Sequence, residues 1–164
     1  MSPQQITGRG QAERLGDALQ DLFARYEEYI RNPDSSPALA SDLSKFACVR
    51  ICGYLEQGIA TLALAHVETR SAPTAVRFAS SWLSRMQNPR RGALIEFIGR
   101  FNHQWGEDFR KWLESVDPAN TLDNLVQTRN DIAHGLSTGI GHDALVQYLG
   151  LAIDVTDWFA DRLD

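Results

Sequence analysis

The chain has 164 residues, 43% of them hydrophobic and 23% charged, which is ordinary globular usage with enough length for one domain and a sizeable core. That balance excludes a wholly disordered chain, and a net charge of −5 excludes a strongly basic surface for unspecific nucleic-acid binding. The charge is uneven: Arg77, Arg85, Arg90, Arg91, Arg100, Arg110 and Lys111 stand against Glu96, Glu107 and Asp108, while five aspartates from Asp143 to Asp164 stand against Arg162 alone. Two solvated helical faces would account for this, and so would a basic lip beside an anionic substrate.

Residues 1–10 are polar and Gly-containing and read as a flexible N-terminus, leaving 11–164 as one helical domain. Leu15, Leu19, Leu22, Phe23, Tyr26 and Ile30 recur at helical spacing, and Asn32-Pro33 ends that helix. Leu43, Ala47, Ile51, Leu55, Ile59 and Leu62 form one stripe of a long second helix. Its least polar stretch, residues 46–65, still holds Arg50, Glu56 and Gln57, so it reads as a buried core helix and not a membrane span. Pro73 starts a third helix through Val76, Phe78, Trp82 and Leu83, and Asn88-Pro89 interrupts it. Leu94, Ile95, Phe97, Ile98 and Phe101 mark a fourth, and Phe109, Trp112 and Leu113 a short fifth before Asp117-Pro118. Leu122, Leu125, Val126, Ile132 and Ala133 define a sixth that stops near Gly135, and residues 145–158 carry the last. No segment alternates like a strand. The expectation is an all-α, single-domain bundle of about six to seven helices.

No apolar run follows a basic start, so no signal peptide is expected and the chain reads as cytoplasmic, off the membrane. Cys48 and Cys52, one helical turn apart, suit neither a disulfide nor a zinc site and read as reduced core thiols. No cluster of carboxylates or of His and Cys implies a metal, and Gly135, Gly139 and Gly141 lack the Lys-Ser/Thr of a P-loop, so no cofactor is expected. His66 and His103 read as structural or exposed. His142, which follows Gly139-Ile140-Gly141, could approach the loop after the sixth helix.

The sixth helix breaks its own pattern. Its apolar stripe runs Leu122, Leu125/Val126, then position 129, then Ile132/Ala133, and position 129 is Arg. A guanidinium aimed at a core or an interface must be paired or must line a cavity. Asn130 and His134 share a face at i,i+4, so a guanidinium, an amide and an imidazole converge near the last turn. That set suits a phosphate: Arg binds it bidentately and His moves protons near neutral pH. The alternative is a structural Arg ion pair with a His at the helix C-terminus. Glu56, with Arg50 the only charge between Lys45 and Glu68, either anchors Arg129 or sits at a solvent-facing edge.

Arg129-Asn130-Asp131-Ile132-Ala133-His134 resembles the HEPN pattern of an Arg, a polar residue, three more residues and a His. The ending Ile132-Ala133-His134-Gly135, the upstream Gly53-Tyr54-Leu55-Glu56 and the closing helix are also similar to that superfamily, in particular its RiboL-PSP-type branch, over roughly residues 43–159. The resemblance implies a HEPN-like helical domain and a homodimer whose facing motifs cleave RNA without metal, by 2'-hydroxyl attack. Arg129 and His134 would be catalytic, with Asn130, Glu56 and Asp131 in support. It also implies a toxin of a toxin–antitoxin or phage-defence system with a cognate antitoxin or inhibitor protein. The alternative it leaves open is a non-catalytic HEPN module that binds a nucleotide or a partner protein in a regulator or antitoxin.

Overall fold

The computed structural model describes residues 7–136 and 139–164 and is all-helical. Among these residues seven helices follow one another: α1 (Gly8–Arg31), α2 (Pro37–Arg70), α3 (Pro73–Leu83), α4 (Arg91–Phe101), α5 (His103–Val116), α6 (Thr121–Ala133) and α7 (His142–Leu163). Local chemistry sets the boundaries. Thr7 Oγ1 accepts from Gly10 N–H at 3.1 Å, so α1 starts at Gly8, ahead of the expected boundary at residue 11, although Gly8 and Gly10 are poor helix formers. Ser36 caps α2 with Pro37 in its first turn, and Pro73 opens α3 in the same way. The fifth helix is longer than its apolar residues mark out, because the Asn102 side chain caps it at His103.

The 34-residue α2 runs through the centre and packs against α1, α3, α6 and α7. Ala47, Cys48, Ile51, Leu55, Ile59 and Ala63 are inaccessible to solvent and meet Leu19 and Phe23 of α1, Leu125 and Val126 of α6, and Val155 and Phe159 of α7 in one core. One side of α2 is open: Leu39, Phe46 and Val49 face solvent, while the buried residues of the core line the opposite arc. The α4–α5 pair joins this core through aromatic edges, with Phe97 and Phe101 against Phe159, and Phe109 and Trp112 against Trp158. No helix among the described residues is long and apolar enough to cross a membrane.

The α4–α5 crossing depends on glycine. A Cβ on Gly106 would lie 2.9 Å from Gly99 Cα and 3.1 Å from the Ile95 carbonyl oxygen, both backbone atoms that cannot swing aside. Gly106→Ala should therefore cost about 1–3 kcal/mol through overpacking. Gly150→Ala, where a Cβ meets nothing within 4 Å on α7, should gain up to about 1 kcal/mol. Urea unfolding midpoints of the two variants test this, and equal shifts would refute the close-approach account.

Candidate active site

The motif sits at the C-terminal end of α6, and the other end of that helix is clamped. Buried Asp117 accepts from Thr121 N–H at 2.6 Å and Leu122 N–H at 3.2 Å, supplying the capping that Asn120, in the left-handed region at φ 55°, does not. Arg91 then ties α6 to the start of α4. Its guanidinium reaches the Asp117 carbonyl and Asn120 Oδ1, and its N–H donates to Asp123 Oδ1. Downstream, Gly135 adopts φ +71°, which stops the helix directly after His134. The segment from Arg129 to His134 is thus the last turn and a half of a helix held at both ends.

Arg129 points toward α2 and is partly buried. Its Nη2 donates to Glu56 Oε1 at 2.7 Å and its Nη1 to Asn130 Oδ1 at 2.8 Å. The two charged side chains are only 22% and 16% exposed. Glu56 Oε1 also accepts from Asn88 N–H at 3.1 Å, where Asn88 takes φ 56°, a conformation Asn tolerates better than most residues. The buried Cys52 thiol, one turn before Glu56, is pushed up to about 11 by desolvation and then by the Glu56 charge, with Arg129 beside it acting the other way. Burial drives the Cys48 thiol to about 12. Both are neutral core groups at physiological pH. His134 lies about 140° around α6 from Arg129 and is exposed at the helix end, four residues beyond Asn130.

The model of the RiboL-PSP-HEPN family matches residues 14–164. The chain belongs to the RiboL-PSP-HEPN family. The match takes in most of α1, which the sequence resemblance had left out. No curated protein and no solved structure matches the chain.

Within this HEPN domain the structure gathers Arg129, Asn130 and Glu56 into one hydrogen-bonded unit, and His134 is exposed at the end of the same helix without a side-chain contact to it among those described. Asp131 goes elsewhere: its Oδ1 accepts from Gln127 Nε2 at 2.8 Å, and Gln127 Oε1 accepts from Arg90 Nη2 at 2.8 Å. Arg90, Gln127 and Asn88 are the neighbours that sequence reading missed. The run of arginines before α5 was the available signal, but nothing in the sequence brings residue 90 to residue 127. His142 turns away from the motif to Glu27 Oε1 of α1 at 2.7 Å, with Phe23 and Tyr26 alongside. His66 is partly buried on α2 and His103 is exposed. Among the described residues no group of three or more His, Cys, Asp or Glu is placed to hold a metal ion.

The Glu56–Arg129 pair should behave as one unit. Glu56→Gln and Arg129→Ala should each lower stability, and the double variant should lose less than the sum, with a coupling of about 0.5–3 kcal/mol. Denaturant unfolding of the four proteins measures it, and strict additivity would show that the pair contributes nothing as a pair.

Proposed function

We propose that this HEPN domain is a metal-independent endoribonuclease that works as a homodimer. The observation that carries the reading is a guanidinium held by Glu56 and Asn130 at the end of a clamped helix, with an exposed imidazole one turn beyond. Membership of this family suggests an RNase-like or nucleotide-binding module. Arg129 would keep part of its five-donor fork for the scissile phosphate, already oriented before substrate arrives. The substrate's own 2'-hydroxyl, which only RNA offers, attacks the adjacent phosphorus. Negative charge builds on the pentavalent centre and falls to Arg129. His134 takes the 2'-hydroxyl proton or gives one to the departing 5'-oxygen. Asn130 orients the guanidinium, and Glu56 is a positioning residue.

The products are then a 2',3'-cyclic phosphate, or the 3'-phosphate after its hydrolysis, and a 5'-hydroxyl. Cleavage should persist in EDTA and stop when the nucleotide at the cut is 2'-deoxy. His134→Ala should abolish turnover while RNA binding survives, and Arg129→Ala should lower kcat by about 10²–10³-fold. Products bearing a 5'-phosphate, or full activity in His134→Ala, would end this reading. A ribonuclease of this kind suits a growth-arresting toxin restrained by a cognate inhibitor. The second reading, a binding module without cleavage, draws on the same ion pair, since a guanidinium satisfied by Glu56 can serve structure alone. The two part on the wild-type protein: the binding module retains RNA or nucleotide without cutting.

The proposed dimer would use the exposed side of α2. Val49 is in helical phase with Glu56 two turns away, and Phe46 and Leu39 continue the apolar stripe along α2, about 15 and 25 Å from Glu56 along its axis. A second copy on that stripe brings two Arg129/His134 pairs to one cleft about a two-fold axis. Sedimentation at micromolar concentration should give a dimer, and Phe46→Asp should give a folded monomer with little activity. A Phe46→Asp dimer, or a fully active monomer, would remove the shared cleft.

A further inference from the structure

The linker between α3 and α4 touches the motif helix and its anchor at separate points. Asn88 N–H meets Glu56, and Arg90 Nη2 meets Gln127 Oε1. The Gln127 amide has one permitted orientation, because Arg90 only donates and Asp131 only accepts. Gln127 and His134 are seven residues apart, so they lie within about 20° on one face of α6 and about 10 Å apart along it. Arg90 is therefore held over the same face of α6 that carries the exposed imidazole.

Its charge is left available. Arg9, Arg31, Arg100, Arg110 and Arg162 each meet a carboxylate in a salt bridge, as Arg129 does. Arg90 meets a neutral amide and, like seven other arginines, forms no salt bridge among the described residues; what sets it apart is that its guanidinium is hydrogen-bonded to α6 through Gln127, whose other end donates to Asp131. The next residue, Arg91, spends its guanidinium on the Asp117 carbonyl and Asn120 Oδ1 and is a structural clamp. A guanidinium fixed in position by an amide, short of a counter-ion and aligned with the reacting group, is arranged for an anion that arrives with the substrate. It stands too far along α6 to share one phosphate with His134, and near enough for a phosphate farther along the same strand.

We infer that Arg90 binds a phosphate of the RNA strand next to the scissile one, making the substrate a strand with several phosphates that runs along α6 from His134 toward Gln127. This rests on the nuclease reading for the direction of the strand, and on the position and charge of Arg90 for the contact. Gln127 is the positioning residue that holds Arg90 in register.

The test uses full-length protein and an oligonucleotide with one ribonucleotide in a deoxy background, which fixes the cut. A neutral methylphosphonate replaces, one at a time, each of the two nearest phosphates on either side. In wild type one of these replacements should lower kcat/KM about tenfold or more, the loss expected for a charge-assisted hydrogen bond. Arg90→Gln should lower it similarly on the unmodified strand. The two changes together should cost no more than either, because they delete the same contact. Arg91→Gln is the comparison, and its loss should multiply with every methylphosphonate. Arg90→Gln should also flatten the dependence of log binding affinity on log salt by about 0.7, one phosphate's worth for a single strand, and Arg90→Lys should restore the slope. Multiplicative losses for Arg90→Gln at all four phosphates would overturn the contact. If wild type does not cut, the nuclease reading falls, and the same cycle is read on binding by fluorescence anisotropy. An Arg90-specific phosphate there keeps the inference; uniform losses, or no binding, overturn it.

Discussion

The structure around the motif depends on one ion pair, Arg129 with Glu56. Arg129 falls in the apolar stripe of α6, where an unpaired charge would be strongly destabilising. Glu56 falls on α2 between the inaccessible Cys52 and Ile59. Each charge is acceptable there only because the other lies 2.7 Å away. The pair therefore fixes the angular setting of α6 on α2 more tightly than Leu122, Leu125 and Val126 can, since apolar contacts are non-directional. A slip of one residue would put Thr128 or Asn130 where the guanidinium is and leave Glu56 without its charged partner. The Asn88–Pro89 turn adds to the constraint by giving its backbone N–H to the same carboxylate oxygen.

A pair of this kind is modest as a source of stability, because desolvating two charges offsets most of their attraction. Its consequence is positional. With the start of α6 clamped by Asp117 and Arg91, and its end stopped by Gly135, the backbone under Arg129 is set, and the guanidinium can turn toward solvent only by giving up its bonds to Glu56 and Asn130. A cation that does not reorganise when charge develops beside it is what stabilises a transition state. His134 is the opposite case, an exposed ring after the last helical turn that is free to approach a substrate. On the nuclease reading the fixed charge and the exposed imidazole belong to one helix end, where Asn130 Oδ1 accepts a hydrogen bond from the guanidinium.

The helices were legible because their ends are written in strong local signals. Asn32-Pro33, Ser36-Pro37, Pro73, Asn88-Pro89, Asp117-Pro118 and Gly135 each act within a few residues, and the apolar spacing between them has the helical period. Arg129 was legible as a violation of that period. Glu56 could be paired with it because the long second helix offers so few charges. What stayed hidden depends on distance in the chain. Residues 88 and 90 meet residues 56 and 127 only once α3 has folded back, and no spacing rule reports that. Asp131 shares a motif with Arg129 and His134 but points to Gln127, since neighbours on a helix diverge by about 100°. The solvent-facing side of α2 was hidden for another reason. Leu39, Phe46 and Val49 are as apolar as the core residues beside them, so the pattern alone marks no outside.

On the nuclease reading proposed above, an acidic protein needs its charges sorted, and the helix directions do part of the sorting. α7 begins beside the motif loop at His142 and carries Asp161 and Asp164 about 30 Å further along its axis. There both aspartates meet Arg9 of α1. The net charge of −5 describes the whole molecule, and beside α6 Arg90, Arg91 and Arg129 stand among Glu56, Asp123 and Asp131. Screening over a Debye length of about 8 Å at physiological salt removes most of the far carboxylates' influence on a strand at the motif. The same sorting limits how such a surface can bind. Without a broad basic face it gains little from general counter-ion release, so affinity must come from a few phosphates held at fixed points and from the geometry at the cut. A small number of placed cations in an acidic protein favours cleavage at positions where the strand can present its phosphates in register, and disfavours indiscriminate attack on any RNA that collides with it.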